Sequence, residues 1–422
     1  MQQIKFGLNI AKPYKYIIWF VVFFLLNYLG ETIPNIAGLS FNQLWKLPVL
    51  AYLLMFFVLN KRKKEAFEVV TLWLVVEYFL CREIMVNPFG CFIRITKQQL
   101  PFVLLFSYWY LFYKNKTNQL EIIIFCIAQY VAISCIPFLL DIISPLKDSY
   151  DTALYGVEGS FFSAIFGSPH AASAIFGAST MVLVYGFSSN RFTTKLSKFI
   201  NAVFIGVLLI SIFKAYTRTG WLMLLVSILF YFDWSNMKLK HVKNVVIVLS
   251  IISVGLVVLY NTNDAFYARL TGRNVYSGKG GEKIDVNGSG RTDFWVNAAK
   301  GLWNSNNAYY FLFGRGMTMV VEENYRTTGM KVFSHNQFMD SLAQNGIFGL
   351  SLLLAYYFTL FGFIRKKKSK YGRLCISLYM ASIIFAFFQS EIYFFHAFIL
   401  SLAVALHGLS DESKCKKLLL DK

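Results

Sequence analysis

The sequence predicts an all-α polytopic membrane protein with about twelve transmembrane helices and one long extracytoplasmic loop carrying short helices. Three observations predict it. Hydrophobic residues make up 56% of the 422-residue chain and charged residues 15%, where soluble domains carry about 25% charged residues. Apolar runs close to the length needed to cross a bilayer recur from Tyr16 to Leu409. Lys and Arg gather in the gaps on one side of those runs, as the positive-inside rule requires. With no soluble domain at either end of the runs, residues 1–422 read as a single integral membrane domain.

A spanning helix needs roughly 20 apolar residues, about 17–25 in practice. Candidate spans are 16–30, 44–60, 66–81, 99–113, 119–140, 169–187, 199–213, 220–232, 244–260, 345–364, 374–390 and 393–409. The first has basic residues before it but no small-residue cleavage site after it, so it reads as a span and not a signal peptide. Placing the N-terminus in the cytoplasm puts Lys61-Arg62-Lys63-Lys64, Lys114 and Lys116, Arg191, Lys195 and Lys198, and Lys238, Lys240 and Lys243 on the cytoplasmic side. Arg365-Lys366-Lys367-Lys368 and the C-terminal Lys414, Lys416 and Lys417 join them. No shift by one span keeps all of these on one side. Both termini are therefore expected in the cytoplasm, and the formal net charge of +19 reflects topology and not nucleic-acid binding. Residues 141–160, with Asp141, Asp148, Asp151 and Glu158 against Lys147, suit an outer loop.

Six cysteines are scattered, none of them in the long loop. Cys81 and Cys91 could meet on the outer side, but the spacings give neither a disulfide framework nor a metal signature. The chain has no P-loop, nucleotide fingerprint or paired carboxylates at metal spacing, so neither a metal nor a cofactor is expected.

The polar stretch 261–337, between spans nine and ten, is expected to be the lid and half the active site. Arg291 opens Arg291-Thr292-Asp293-Phe294-Trp295, and Trp295, Ala298, Ala299 and Leu302 fall at the spacing of an amphipathic helix. Arg291, four residues before Trp295, points with that apolar face; an ion pair with Asp293 or Glu322 is the competing reading. In Ser334-His335-Asn336-Gln337, Ser as N-cap and Gln at N3 form a capping box, which places His335 in the first helical turn. The dipole there disfavours a charged imidazole and attracts anions. A neutral histidine beside an anion site suits a general base, whereas a lone histidine is more often an interfacial group with satisfied hydrogen bonds. Lys279 and Lys283, among Gly278, Gly280, Gly281, Gly288 and Gly290, look like a mobile flap.

Outside the loop, Lys214-Ala215-Tyr216-Thr217-Arg218-Thr219-Gly220 joins two short spans, so the turn is expected to dip below the outer surface. Arg218 at that depth needs a wet cavity or an anion; otherwise it snorkels to lipid headgroups. Ser168 and Pro169 mark a helix start with His170 in its first turn, where a structural role competes with substrate contact. Glu77 pairs best with Arg82, and Glu391 lies at the turn between the last two spans as an acid, a base or a loop charge. Outward arginines and helix N-termini call for an anionic head group, of which a lipid pyrophosphate is the natural candidate.

The motifs Thr217-Arg218-Thr219-Gly220-Trp221, Arg291 with Trp295, Gly314-Arg315-Gly316, and His335-Asn336 with Gly346-Ile347-Phe348-Gly349-Leu350 together resemble the O-antigen ligase and O-antigen polymerase superfamily. The likeness runs over residues 160–360 or so. The resemblance implies a GT-C-like membrane glycosyltransferase of the bacterial inner membrane with its active site facing outward. It implies metal-independent, inverting transfer of a glycan from undecaprenyl pyrophosphate, with Arg218 and Arg291 binding the pyrophosphate and His335 activating the acceptor. Arg315, His170, Lys214 and Asn336 become candidate substrate contacts. Two departures touch these contacts: Arg315 stands where the family usually has an uncharged residue, and His170 where it has Asn. The reading is a polymerase of lipid-linked repeat units into O-antigen, capsule or exopolysaccharide. Its partners would be undecaprenyl-pyrophosphate-linked glycans and membrane lipids, with a flippase and a chain-length regulator of the same pathway. The alternatives are a ligase passing the glycan to a lipid A core, and a transporter or flippase. A flippase would carry inverted repeats and intramembrane charges; the sequence has no repeat, and the suspect residues gather at the outer mouth instead.

Overall fold

The computed structural model describes residues 117–143, 162–166, 168–232, 274–277, 283–286, 291–304, 306–329, 332–366, 369–389 and 394–409, with a few single positions elsewhere. The expected spans one to four and nine, Glu77, Arg82, Cys81, Cys91, Lys279 and Glu391 lie outside these stretches. The elements in chain order are α1 (Thr117–Leu139), α2 (Pro169–Ser188), α3 (Lys195–Lys214), α4 (Arg218–Tyr231), β1 (Asn274–Ser277), β2 (Lys283–Val286), α5 (Arg291–Trp303), α6 (Ala308–Phe313), α7 (Met317–Thr328), α8 (Gln337–Lys366), α9 (Gly372–Phe388) and α10 (Phe394–Leu409). Four of the helices are long and apolar enough to cross a membrane: Leu120–Leu139, α2, α3 and α8. Shorter apolar helices run over Arg218–Tyr231, Gly372–Phe388 and His396–Gly408.

Caps explain the starts. Ser168 is extended and its Oγ accepts from Ala171 N at 3.1 Å, with Pro169 as the first helical residue, as the sequence predicts. Thr194 caps α3 by accepting from Ser197 N at 3.0 Å.

The bundle packs in register. Tyr231 feels the charge of Arg373, and Ser227 Oγ donates to Ser377 O at 3.4 Å, so α4 and α9 run antiparallel. The buried His396 of α10 lies between Ser382 Oγ of α9 (2.8 Å) and Ala174 O of α2 (3.4 Å). At the opposite end of α10, His407 meets Ser369 Oγ (2.6 Å) and Ile364 O (2.9 Å). Near that same end the buried Glu121 receives Arg191 Nε at 2.7 Å, Tyr371 OH at 2.7 Å and Lys370 Nζ at 3.5 Å. One carboxylate thus ties α1 to the α2–α3 and α8–α9 turns. Truncating one partner strands the other charges, which costs about 3–5 kcal/mol. Glu121→Ala is therefore expected to lower the unfolding temperature in detergent well below that of an exposed control such as Glu322→Ala.

Two expectations are corrected. The helix α3 is 20 residues long, so only α4, at 14 residues, is short for a span. The shallow-turn argument therefore rests on α4 alone. The Gly-rich flap is framed by an antiparallel hairpin, Asn274 opposite Val286 and Ser277 opposite Lys283, so the long loop is not wholly helical. Gly278, Gly280 and Gly281 are poor helix formers and leave the flanking Val275, Tyr276 and Ile284, good strand formers, to pair.

Helices α2 and α4 touch through Gly220. A Cβ there would come within 2.5 Å of Ser173 Cβ and 2.8 Å of Thr217 Oγ1. Gly220→Val is expected to cost ~1–3 kcal/mol by overpacking and to displace the first turn of α4; thermal unfolding in detergent would measure the first effect.

Candidate functional site

The loop residues gather at the end of the bundle away from the Glu121 cluster. Helix α5 buries Phe294, Ala298 and Leu302, at i, i+4 and i+8. The expected stripe is thus rotated by about one residue, with Ala299 exposed and Trp295 half-buried. Trp295 still anchors the loop, since its indole N–H donates to Ser334 O at 2.9 Å. Arg291 opens the helix half-buried, with its guanidinium 5.7 Å from the centre of the Phe388 ring. That contact seats the cation on the C-terminal turn of α9.

The segment before α8 does not form the expected capping box. Helix α8 begins at Gln337, and Asn336 is its cap, with Oδ1 accepting from Phe338 N and Met339 N, both at 3.0 Å. Ser334 Oγ instead bonds Asn336 O (3.0 Å) and accepts from Asn336 N (3.2 Å), while Asp340 Oδ1 accepts from Ser334 N at 3.0 Å. Gln337 turns inward to accept from Tyr357 OH at 2.8 Å. An Asn cap satisfies two amides from one oxygen, which outcompetes a serine two residues earlier. His335 therefore lies just outside the helix, at φ 53°. This left-handed conformation is costly for a non-glycine residue. The buried bonds of Ser334 and Asn336 on either side hold it there. Asn324 of α7 adds a donor to Val332 O at 2.9 Å.

The His335 ring lies 6.3 Å from that of Phe294. Burial first, and the Arg291 charge second, push its imidazole down to about 4, against a hydrogen bond with Gln389 that pulls it up. A neutral imidazole is what the sequence predicts, but the cause is desolvation and a facing arginine and not the helix dipole.

Arg218 is exposed as the first residue of α4. The antiparallel register with α9, Ser227 beside Ser377, carries it level with about Ala386, close to Phe388 and Gln389 along the helix. His170, half-buried in the first turn of α2, is at the same end, since Ser173 accepts the close approach of Gly220. Lys214 ends α3 there, its carbonyl accepting from Phe162 N at 3.1 Å.

Arg315 is not brought to this cluster. Its Nη1 donates to Gly301 O at 2.8 Å and its guanidinium lies 5.9 Å from the Tyr310 ring centre. Gly301 is ten residues along α5 from Arg291, about 15 Å at 1.5 Å per residue. Likewise Asn336 spends its side-chain oxygen on the cap. The turn around Arg315 is a clasp. Gly346, at φ 67° and ψ −167°, breaks α8, and the carbonyls of Ala343 and Gln344 instead accept from Arg315 N (3.1 Å) and Gly316 N (3.0 Å). Gly314 has φ 75°, and a Cβ on it would sit 2.2 Å from Gln344 backbone; one on Gly346 would sit 2.4 Å from Leu312 backbone. Gly314→Ala and Gly346→Ala are each expected to destabilise by more than ~1 kcal/mol, combining strain at positive φ with overpacking. Protease sensitivity of the loop should rise in both.

Sequence reasoning missed Phe388 and Gln389. Gln389, the first polar residue after the apolar run of α9, looks in sequence like any helix end.

Fold and site together define a polytopic membrane protein with a guanidinium and an imidazole at one end of a helical bundle, the charge of the first bearing on the second. Residues 202–354 match the family model described as O-antigen ligase, which supports a likeness to the O-antigen ligase and polymerase superfamily over that segment. The matched segment takes in Lys214, Arg218, Arg291, Arg315, His335 and Asn336 and leaves out His170 and Gln389. No curated protein matches the chain.

Proposed function

We propose that the protein is a membrane glycosyltransferase that polymerises undecaprenyl-pyrophosphate-linked repeat units into a surface polysaccharide. It would work on the outer face of the bacterial inner membrane, as one integral membrane domain with the 261–337 loop closing over the site. The observation that carries this reading is that Arg291, on the Phe388 ring, and a neutral His335, beside Phe294, both lie at the bundle end where Arg218 opens α4.

The chemistry follows from those groups. Two guanidinium forks suit the oxygens of a pyrophosphate and stabilise its charge as it leaves. The acceptor hydroxyl oxygen bonds to the anomeric carbon from the face opposite the leaving group, giving inversion. The anomeric C–O bond to pyrophosphate breaks, and the electron pair leaves with undecaprenyl pyrophosphate. His335 takes the hydroxyl proton. Arg291 has a double effect: its charge adds to burial in keeping the imidazole unprotonated, and a bound pyrophosphate offsets that charge and raises the basicity of His335 when substrate is present. Arg315 acts as a strut between α5 and α6, and Asn336 orients His335 through the cap. Lys214 and His170 are proposed to line the substrate entrance.

A ligase reading has its own support in the description of the matched family. Incubating the purified protein with lipid-linked repeat unit alone separates the two. A ladder of longer glycolipids is the expected result. If nothing lengthens until a distinct acceptor is added, the protein is a ligase.

A further inference from the structure

One buried polar residue at this end of the bundle lies outside both the sequence motifs and the matched segment. Gln389 follows α9 directly, in extended conformation (φ −145°, ψ 147°), and is 5% exposed. Its neighbour Phe388 carries the Arg291 guanidinium, and the Phe387 ring packs at a tilt against Phe338 of α8 with ring centres 4.9 Å apart. The end of α9 is thereby locked against the start of α8. In that position the Gln389 amide lies within reach of the His335 ring. The other half of the same amide, Nε2, is buried with no hydrogen-bond partner among the described residues. A buried donor left unmet is costly, so such groups mark a place where something else binds.

We propose that Gln389 is a positioning residue for glycosyl transfer: its amide oxygen accepts the N–H of one His335 nitrogen, fixing the tautomer that leaves the other nitrogen bare for the acceptor hydroxyl, and its amide N–H₂ meets an oxygen of the bound sugar. The role as stated rests on the transferase reading above. The amide is suited to it because it is neutral. The charged groups near His335 are Arg291 from α5 and Asp340 from α8, whose Oδ1 is held by Ser334 N. A carboxylate at position 389 would add a negative charge in direct contact and hold the imidazole protonated, with no lone pair to receive a proton.

The test uses the full-length protein in nanodiscs with ¹³C-histidine labelling, the His335 signal being assigned by its loss in His335→Asn. In Gln389→Glu the His335 midpoint is expected to rise by about 2 units, and the acid limb of the chain-lengthening rate should move up in pH with it. Gln389→Leu keeps the volume but removes the hydrogen bonds, and is expected to lower the rate by roughly 10²-fold. An unmoved His335 titration in the Glu variant overturns the proposal. So does a wild-type rate in the Leu variant, which decides the matter if the Glu variant does not accumulate. If the wild-type protein lengthens nothing, the transferase reading fails, and the NMR titration still decides whether Gln389 holds His335.

Discussion

Arg291→Ala is expected to reduce chain lengthening by at least ~10²-fold, the loss seen when one preorganised group facing a developing negative charge is removed. The loss should appear with the protein folded, because Arg291 is half-buried on the face of Phe388 and supports no helix core; α5 is held instead by Phe294, Ala298 and Leu302. Arg291→Lys is expected to recover little. An ammonium keeps the charge but neither the two-point fork nor the flat face that rests on the phenyl ring. The measurement is the initial rate of ladder formation by purified variants with equal elution profiles. Lengthening at more than a tenth of the wild-type rate in Arg291→Ala would remove Arg291 from the site. Arg218→Ala is expected to fall in the same direction, and the double variant should lose less than the product of the two, since both cations act on one leaving group.

The second large effect is in pH. Burial, and the Arg291 charge after it, push the His335 imidazole in the folded protein down to about 4, below the ordinary 6.5. Between those values the unfolded chain binds a proton that the folded chain does not, so stability rises with pH across the window. The contribution is fully present above about 6.5 and is lost as pH falls toward 4. Over 2.5 units (6.5 − 4) at about 1.36 kcal/mol each, the ceiling is on the order of 3 kcal/mol, less whatever the partial exposure of the residue screens. His335→Asn should therefore lose less thermal stability than wild type on acidification from pH 7 to 4.5. Activity carries a second signature. The acid limb of kcat/KM reports the free enzyme and that of kcat the complex. With pyrophosphate charge offsetting Arg291, the kcat limb is expected at higher pH than the kcat/KM limb. Coincident limbs would show that substrate does not relieve the Arg291 charge.

Much of this was legible in the residues. Apolar run lengths locate the ends of α2, α9 and α10 to within two residues of those found, because a segment with no water to bond its backbone must close its hydrogen bonds as a helix. Ser168-Pro169 marks a helix start because a serine oxygen and a missing proline N–H are local solutions to local unsatisfied amides. Arg291 and His335 stand out because polar groups between long apolar runs need a reason to be there. The same local logic misplaces His335 inside the helix, since it scores Ser334 and Asn336 as equivalent caps and cannot see that Asp340, Trp295 and the buried wall around Ser334 choose between them.

What the sequence by itself determined is which segments are helices, where the basic clusters fall and which polar side chains stand out, all matters of composition and of contacts within a few residues. Only the tertiary structure decided which of those side chains meet. It turned Arg315 away to Gly301, about 15 Å along α5, because the mutual approach of Gly314 and Gly346 fixes that turn on α8. It also brought Gln389, from the far side of two spans, within reach of His335. Such pairings depend on helix register and close backbone packing between segments far apart in the chain, and no local pattern encodes them.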